Sequence, residues 1–566
     1  MMDSPSLLQI SDLSIDFKTD EGSLRAVDQL NMNIRPGEVL GLVGESGSGK
    51  SITAKAIMRM TPGNAVIAQS SQLYLRHQQQ VVDIMRLRGA GLKLVRGGAV
   101  SMIFQEPMAS FAPAIRIGDQ IVQTMQIHLK ISREQARKKG IELFERVGIT
   151  QPEMRFDQYV YELSGGMRQR AMIAMALSCK PKLLIADEPT TALDVTIQAQ
   201  VLELLLEMRE QTGMAMLFIT HDLGVISKIA DQVMVMRRGA VIESGSADQV
   251  LYSPQHEYTQ KLLAALPNLD NLPAPPAAQP SSLLSIKDLS ISYPLATATG
   301  GKKLFHAVKN ISLELPLGQI IGLVGESGSG KTSLGKALLG AAPITQGTVT
   351  YHCLEPALSF GADKKLRRKR LSETAQMVFQ DPHSSLNPRM TIRDIIAEPL
   401  VAMKLCNTRE EIDRRIIEVA RRCHVDVSHL RRFPHAFSGG QRQRISIARA
   451  LICNPKFIVA DESVAALDVS IQAEILNLFK ELRDQLDLTI LFISHDLSVI
   501  ANLCDWVCVM RQGELVEQGT VRKIFLDPQQ TYTQQLIASI PILEKKQPQP
   551  DAAFTQENAA VQQAYG

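Results

Sequence analysis

Short apolar runs alternate with helical-looking segments along this chain, and the whole series occurs twice. Strict apolar/polar alternation opens each series, in Leu13-Ser14-Ile15-Asp16-Phe17 and Leu289-Ser290-Ile291-Ser292-Tyr293. That period of two is the pattern of a half-buried strand. Continuous apolar runs follow, Val39-Leu40-Gly41-Leu42-Val43 and Ile320-Ile321-Gly322-Leu323-Val324. A short run that is apolar on both faces fits a strand inside a parallel sheet. From about Gln105 to Leu163, and again from Gln380 to Phe437, the chain is more polar and spaces its apolar residues as helices do, for example from Glu134 to Phe144. Alternating buried strands and helices then return, which predicts a parallel sheet covered by helices on both faces.

The repeat can be followed residue by residue. Lys50 corresponds to Lys331 and Gln105 to Gln380, with the second copy shorter between these points. One constant offset then relates Ser164 to Ser438, Glu188 to Glu462, His221 to His495 and Tyr258-Thr259-Gln260 to Tyr532-Thr533-Gln534. The expected organisation is a duplicated α/β domain, residues 1–267 and 283–544. A proline-rich linker, 268–282, joins the copies, and a tail of Gln, Ala and Pro runs over 545–566. Dense proline favours extended polyproline II, so the linker reads as semi-rigid and the tail as disordered.

Each buried run leads into a glycine-rich octet and then a helix-forming segment. The octets are Gly44-Glu45-Ser46-Gly47-Ser48-Gly49-Lys50-Ser51 and Gly325-Glu326-Ser327-Gly328-Ser329-Gly330-Lys331-Thr332. Strand, glycine turn and helix in this order are what the phosphate-binding P-loop pattern requires. Glycines let backbone N–H groups curl into an anion nest, and the helix N-terminus adds partial positive charge behind it. Lys50 and Lys331 would reach the β- and γ-phosphates of ATP, and the hydroxyls of Ser51 and Thr332 would ligate Mg²⁺. One match in a long chain is weak; two in the same context mark a chain that binds nucleotide twice.

Composition narrows the class. A chain of 566 residues with 45% hydrophobic and 21% charged residues is ordinary for several globular domains. A formal net charge of +3 is too small to argue for nucleic acid or an anionic membrane. No apolar run approaches the roughly 20 residues that span a bilayer, and Met1-Met2-Asp3-Ser4-Pro5-Ser6 is no secretion signal. The expectation is a cytoplasmic chain that meets a membrane only through partners. The seven cysteines lack metal-ligand spacing and read as small buried apolar residues. The basic run from Lys364 to Arg370 has no neighbouring aromatics for base stacking and reads as solvated surface.

Two further motifs recur. The buried strands Leu183-Leu184-Ile185-Ala186-Asp187-Glu188 and Phe457-Ile458-Val459-Ala460-Asp461-Glu462 end in paired carboxylates. At the carboxyl end of a parallel strand Asp187 and Asp461 suit Mg²⁺, and Glu188 and Glu462 suit orienting or deprotonating a water. Ser164-Gly165-Gly166 and Ser438-Gly439-Gly440 each precede a helix-forming run, as a capped start with N–H groups free for an anion.

With this last motif just upstream of the carboxylate strand, the chain resembles the ATP-binding cassette (ABC) family over both copies. The resemblance implies two tandem P-loop ATPase domains, each with a RecA-like parallel core, an antiparallel β subdomain and a helical subdomain. It implies that Gln105 and Gln380 sense Mg²⁺ and the γ-phosphate, that His221 and His495 contact that phosphate, and that Asp194 and Asp468 are the D-loop aspartates. Phe17 and Tyr293 would stack on adenine, with Phe305 a rival to Tyr293. The two copies would close head to tail. Lys50, Ser51, Gln105, Asp187, Glu188 and His221 would then face Ser438, Gly439 and Gly440, and the second copy's set would face Ser164, Gly165 and Gly166. Met167 and Phe437 depart from the signature, and Ser463 stands where the first copy has Pro189.

The segments His256 to Leu263 and Thr531 to Ile537, and Ser385-Leu386-Asn387-Pro388-Arg389, are similar to those of peptide and nickel importer ATPases, especially fused members serving glutathione, peptide or microcin C uptake. That similarity implies two transmembrane permeases and a periplasmic solute-binding protein as partners, with no nucleic acid. The alternatives are a soluble twin-cassette ATPase acting on ribosomes or nucleic acid, and a nickel or sugar importer subunit.

Overall fold

The computed structural model describes residues 6–19, 22–190, 195–264, 272–273, 281–296, 302–354, 356–361, 368–465 and 467–540. Most of the proline-rich linker, the basic run as far as residue 367, Asp194 and the tail lie outside these residues.

Each copy carries two sheets. The first copy's antiparallel sheet pairs Gly22–Ile34 with Leu8–Thr19, then Gln72–His77 and Gln80–Asp83. Its second sheet runs in the order Ala240–Ser246, Gln232–Arg237, Val39–Val43, Ala215–Thr220, Leu183–Asp187, Val100–Ile103. All neighbours in it are parallel except the first pair. The second copy repeats the scheme. Its parallel sheet is ordered Ala375–Val378, Phe457–Asp461, Thr489–Ile493, Ile320–Val324, Trp506–Arg511, Glu514–Thr520.

The predicted two-sided burial has a simple geometric expression. In Val39–Val43, Leu40 and Leu42 join the cluster under the antiparallel sheet, while Val39 and Val43 join the cluster under the helices. Leu183 and Ile185 divide from Leu184 and Ala186 in the same way. Successive side chains on a strand leave on opposite faces. Every residue must then be apolar where both faces are covered, and each such aliphatic side chain contributes about 1.5–3 kcal/mol.

Between the second and third core strands in sequence lies a helical layer: Ile117–Leu129, Arg133–Arg146 and Gly165–Leu177 in the first copy, Ile392–Met403, Arg409–Arg422 and Gly439–Leu451 in the second. It closes tightly. A Cβ at Gly118 would lie 2.1 Å from the Phe156 ring, which meets Phe144 edge-on at 5.1 Å between centroids.

Cysteine usage differs in part from the sequence expectation. Cys179, Cys423, Cys453, Cys504 and Cys508 are buried, but Cys353 is exposed and Cys406 half-buried. Both exceptions lie outside the sheet cores, Cys353 in the turn after Gln346–Tyr351 and Cys406 in the turn after Ile392–Met403.

Candidate active site

Each P-loop is the turn between a central core strand and its helix, Val39–Val43 to Lys50–Ile57 and Ile320–Val324 to Lys331–Leu338. The turn depends on glycine at the helix N-cap. Gly49 and Gly330 have φ of 105° and 102°, and a Cβ there would press on the carbonyl oxygens of Ala26 and Ala307 at 2.6 and 2.2 Å. Lys50 folds back over the loop, its Nζ donating to the carbonyls of Gly44 (2.6 Å) and Glu45 (2.8 Å). Lys331 does the same to Gly325 and Glu326, both at 2.8 Å. Both ammoniums are buried, and burial lowers the pKa of Lys50 against the pull of Glu188 and Asp468. A cation held this dry is ready for an anion.

The carboxylates converge on the same spot. Ser51 Oγ donates to Asp187 Oδ1 at 3.0 Å, and Thr332 Oγ1 to Asp461 Oδ1 at 3.1 Å. Burial raises the pKa of both aspartates, although each hydroxyl opposes it. A buried carboxylate beside a hydroxyl is a set of hard oxygen donors that fits Mg²⁺.

One residue on, the glutamates adopt φ of 48° and 44°. The left-handed region costs a non-glycine residue about 1–2 kcal/mol. The surroundings hold that conformation: the N–H of Glu188 donates to Ile219 O and that of Glu462 to Ile493 O, both at 2.9 Å. Each side chain is gripped twice. Gln105 Nε2 donates to Glu188 Oε2 (2.9 Å), and His221 Nδ1 lies 3.3 Å from Oε1. Gln380 and His495 repeat this on Glu462 at 2.6 and 3.3 Å. The hydrogen bond from His495 holds the Glu462 carboxyl below its ordinary pKa and raises that of His495. Burial opposes charge on His221 most strongly, but the Glu188 bond and the charges of Glu188 and Asp222 together raise its pKa. Glutamine, glutamate and histidine, drawn from three strand ends, thus form one cluster in each copy.

The first copy's cluster opens on a cleft of about 610 Å³ lined by Phe17, Leu24, Arg25, Lys50, Ser51, Gln105, Glu188 and Arg238, among others. Phe17 is half-buried at its mouth, paired across the hairpin with Leu24. In the second copy Tyr293 faces Phe305 at the equivalent pairing, so both aromatic candidates share one register position. The turns Ser164-Gly165-Gly166 and Ser438-Gly439-Gly440 sit at the starts of their own helices, with Ser164 and Ser438 as exposed N-caps. None of those six residues lines the cleft. The opposite copy is represented at the first P-loop by Asp468, whose Oδ1 accepts from the N–H of Ser46.

Comparison with known proteins agrees with this geometry. The family profile "ABC transporter" matches residues 27–191 and 308–465. The chain belongs to the ABC transporter family. It binds and hydrolyses ATP, and each cassette is followed by a match to "Oligopeptide/dipeptide transporter, C-terminal region", at residues 242–287 and 516–565. Among its relatives are the glutathione import ATP-binding protein GsiA of Pectobacterium atrosepticum and the peptidoglycan transport ATP-binding protein YejF of Agrobacterium fabrum. The first is 41% identical, over 96% of this chain and 91% of that protein. The second is 44% identical, over 94% and 96%. The GsiA of Escherichia coli K12 is 40% identical over 98% of this chain and 93% of that protein.

Arg25 and Arg238 were not legible as site residues. Arg25 lies on the strand opposite Asp16, with which it forms an ion pair at 2.6 Å. Arg238 sits in a hairpin turn with φ of 49°. Only the pairing register of Leu8–Thr19 with Gly22–Ile34 could have signalled Arg25. In the second cassette the same pair reads Ser292 and His306, joined at 2.9 Å between Oγ and Nδ1.

Proposed function

We propose that this chain is the energy-coupling subunit of an importer for small peptides, of the di- or oligopeptide, glutathione or microcin-C-like kind. It would sit on the cytoplasmic face of the cell membrane through two permeases, with a solute-binding protein delivering cargo outside. The observation that carries this reading is the peptide-importer C-terminal region after both cassettes. Among the described residues no helix is long and apolar enough to cross a membrane, which leaves translocation to partner chains.

In this reading ATP lies along each P-loop with Lys50 or Lys331 on its β- and γ-phosphates and adenine against Phe17 or Tyr293. Ser51 with Asp187, and Thr332 with Asp461, would hold Mg²⁺, which neutralises charge on the phosphates. Glu188 and Glu462 orient water, with Gln105, Gln380, His221 and His495 reporting the γ-phosphate. Closure of the halves would bring Ser438-Gly439-Gly440 to the first site and Ser164-Gly165-Gly166 to the second, so that hydrolysis removes the bridge between cassettes. Tethering both in one chain raises the effective concentration of each for the other.

The test is uptake of labelled glutathione and dipeptides by cells lacking this chain, with the wild type or a Glu188→Gln, Glu462→Gln double variant restored. Loss of uptake, rescued only by the wild type, and co-purification with permeases support the proposal. Unchanged uptake with ribosomes in the purified fraction would sink it.

A further inference from the structure

The segments that follow the cassettes reach back to the nucleotide sites. Each leaves the core by a hairpin, Gln232–Arg237 with Ala240–Ser246 or Trp506–Arg511 with Glu514–Thr520. A short helix comes next, then a last one, Glu257–Ala264 or Thr531–Ala538. The fastenings of that last helix occur in both copies. Glu243 accepts from the N–H groups of Gln255 (2.7 Å) and His256 (3.2 Å), and Glu517 from those of Gln529 (2.8 Å) and Gln530 (3.2 Å). Arg237 lies 4.6 Å from the centre of the Tyr258 ring, and Arg511 the same distance from that of Tyr532. An aromatic ring under a guanidinium is held in place by its quadrupole.

What that ring presents is a hydroxyl at the P-loop. Tyr532 OH accepts from the N–H of Glu326 at 3.2 Å. Glu326 is the second residue of the loop, and its own carbonyl accepts from Lys331 Nζ. The tyrosine is therefore one residue removed from the lysine that grips phosphate. Tyr258 lies equally buried beside Glu45, where burial pushes its phenol up to about 12, but its hydroxyl has no hydrogen-bond partner among the described residues.

The other side of each last helix meets the opposite cassette. Thr531–Ala538 packs on Val195–Thr212 of the first cassette, and Glu257–Ala264 on Val469–Leu486 of the second. Just past the second of these helices in the chain, Ile540 O accepts from Lys228 Nζ of the first cassette at 3.4 Å.

We propose that the last helix of the second cassette is a strap that sets the shape of its own P-loop through the Tyr532 hydroxyl while resting on the other cassette, with Tyr532 a positioning residue for ATP. The strap acts on the nucleotide site and holds whatever the solute. Its failure would leave the importer reading untouched.

Tyr532→Phe in the full chain keeps the ring and its arginine but removes the acceptor. Losing one such bond predicts a rise of about fivefold in the KM for ATP, with kcat at saturating ATP unchanged and only a small fall in melting temperature. Leu536→Ala, on the same helix but buried in the core, should lower the melting temperature and leave KM alone. An unchanged KM in Tyr532→Phe, or an equal shift in Leu536→Ala, would overturn the role of the hydroxyl. Lys228→Ala tests the strap. It should raise KM in the wild type and add nothing in Tyr532→Phe, because the helix has already lost its hold on the loop. Independent, additive effects would overturn the link between cassettes.

Discussion

The N–H of Ser46, in the first P-loop, donates to Oδ1 of Asp468, the residue that begins helix Val469–Leu486 of the second cassette. A carboxylate from one half is thus already seated on the phosphate nest of the other, and Lys50 feels its charge. Hydrogen bonds to a charged group contribute about 1.5–3 kcal/mol. Asp468→Ala should therefore slow ATP turnover by about tenfold or more, and Asp468→Asn, which keeps an acceptor, by clearly less. Equal losses in the two variants, measured by phosphate release, would show that the contact has no part in turnover.

Glu188 and Glu462 have the same strained backbone and the same glutamine and histidine partners. Both sites should therefore hydrolyse ATP. Glu188→Gln or Glu462→Gln alone should remove half of the turnover or more, and the two together nearly all of it, with ATP still bound. A single change that leaves turnover at the wild-type rate would mark its site as silent.

The two signature helices start differently. Ser438 Oγ accepts from the N–H of Gln441 and Gln441 Oε1 accepts from the N–H of Ser438 at 3.0 Å, a reciprocal cap. In the first cassette Met167 stands at the glutamine position, and only the bond from its N–H to Ser164 Oγ remains, at 3.4 Å. Met167→Gln should restore the second bond and stabilise the chain by about 0.5–1 kcal/mol, read as a higher denaturant midpoint. A midpoint that stays or falls counts against it.

Burial works to raise the carboxyls of Glu243 and Glu517, yet hydrogen bonds from the last helix and its approach bring them below the ordinary glutamate value. A depressed carboxyl stabilises the fold above its unfolded pKa of about 4.3 and loses that contribution as pH falls through the folded value. The last helices should loosen below about pH 4.3, seen as faster amide exchange at residues 257–264 and 531–538. Glu243→Gln and Glu517→Gln should make exchange there less dependent on pH in that range. Unaltered acid sensitivity would show that other groups control it.

The second cassette also carries a mismatch that its sequence only hints at. Gln169 Nε2 donates to the carbonyl of Pro189. Its counterpart Gln443 is fully buried, and neither its amide nitrogen nor its oxygen has a partner among the described residues. Ser463, standing in place of Pro189, has a buried and likewise unpartnered hydroxyl. The sequence shows the exchange of proline for serine but not that three buried polar atoms lie there without a partner among the described residues.

Much of the architecture was legible because its causes are local. Five apolar residues in a row require cover on both faces of a strand, a glycine N-cap at φ near 100° requires the octet's spacing, and duplication repeats each motif at a steady offset. The chain alone could therefore name Lys50, Asp187, Glu188, His221 and their counterparts as one chemistry. It could not place Arg25 or Arg238 at the cleft, because cross-strand register and hairpin geometry bring them there. Nor could it show that Tyr532 touches Glu326, or Asp468 Ser46. Those pairs are joined by packing between elements some two hundred and four hundred residues apart, and no periodicity along the chain records which surfaces two folded halves will press together.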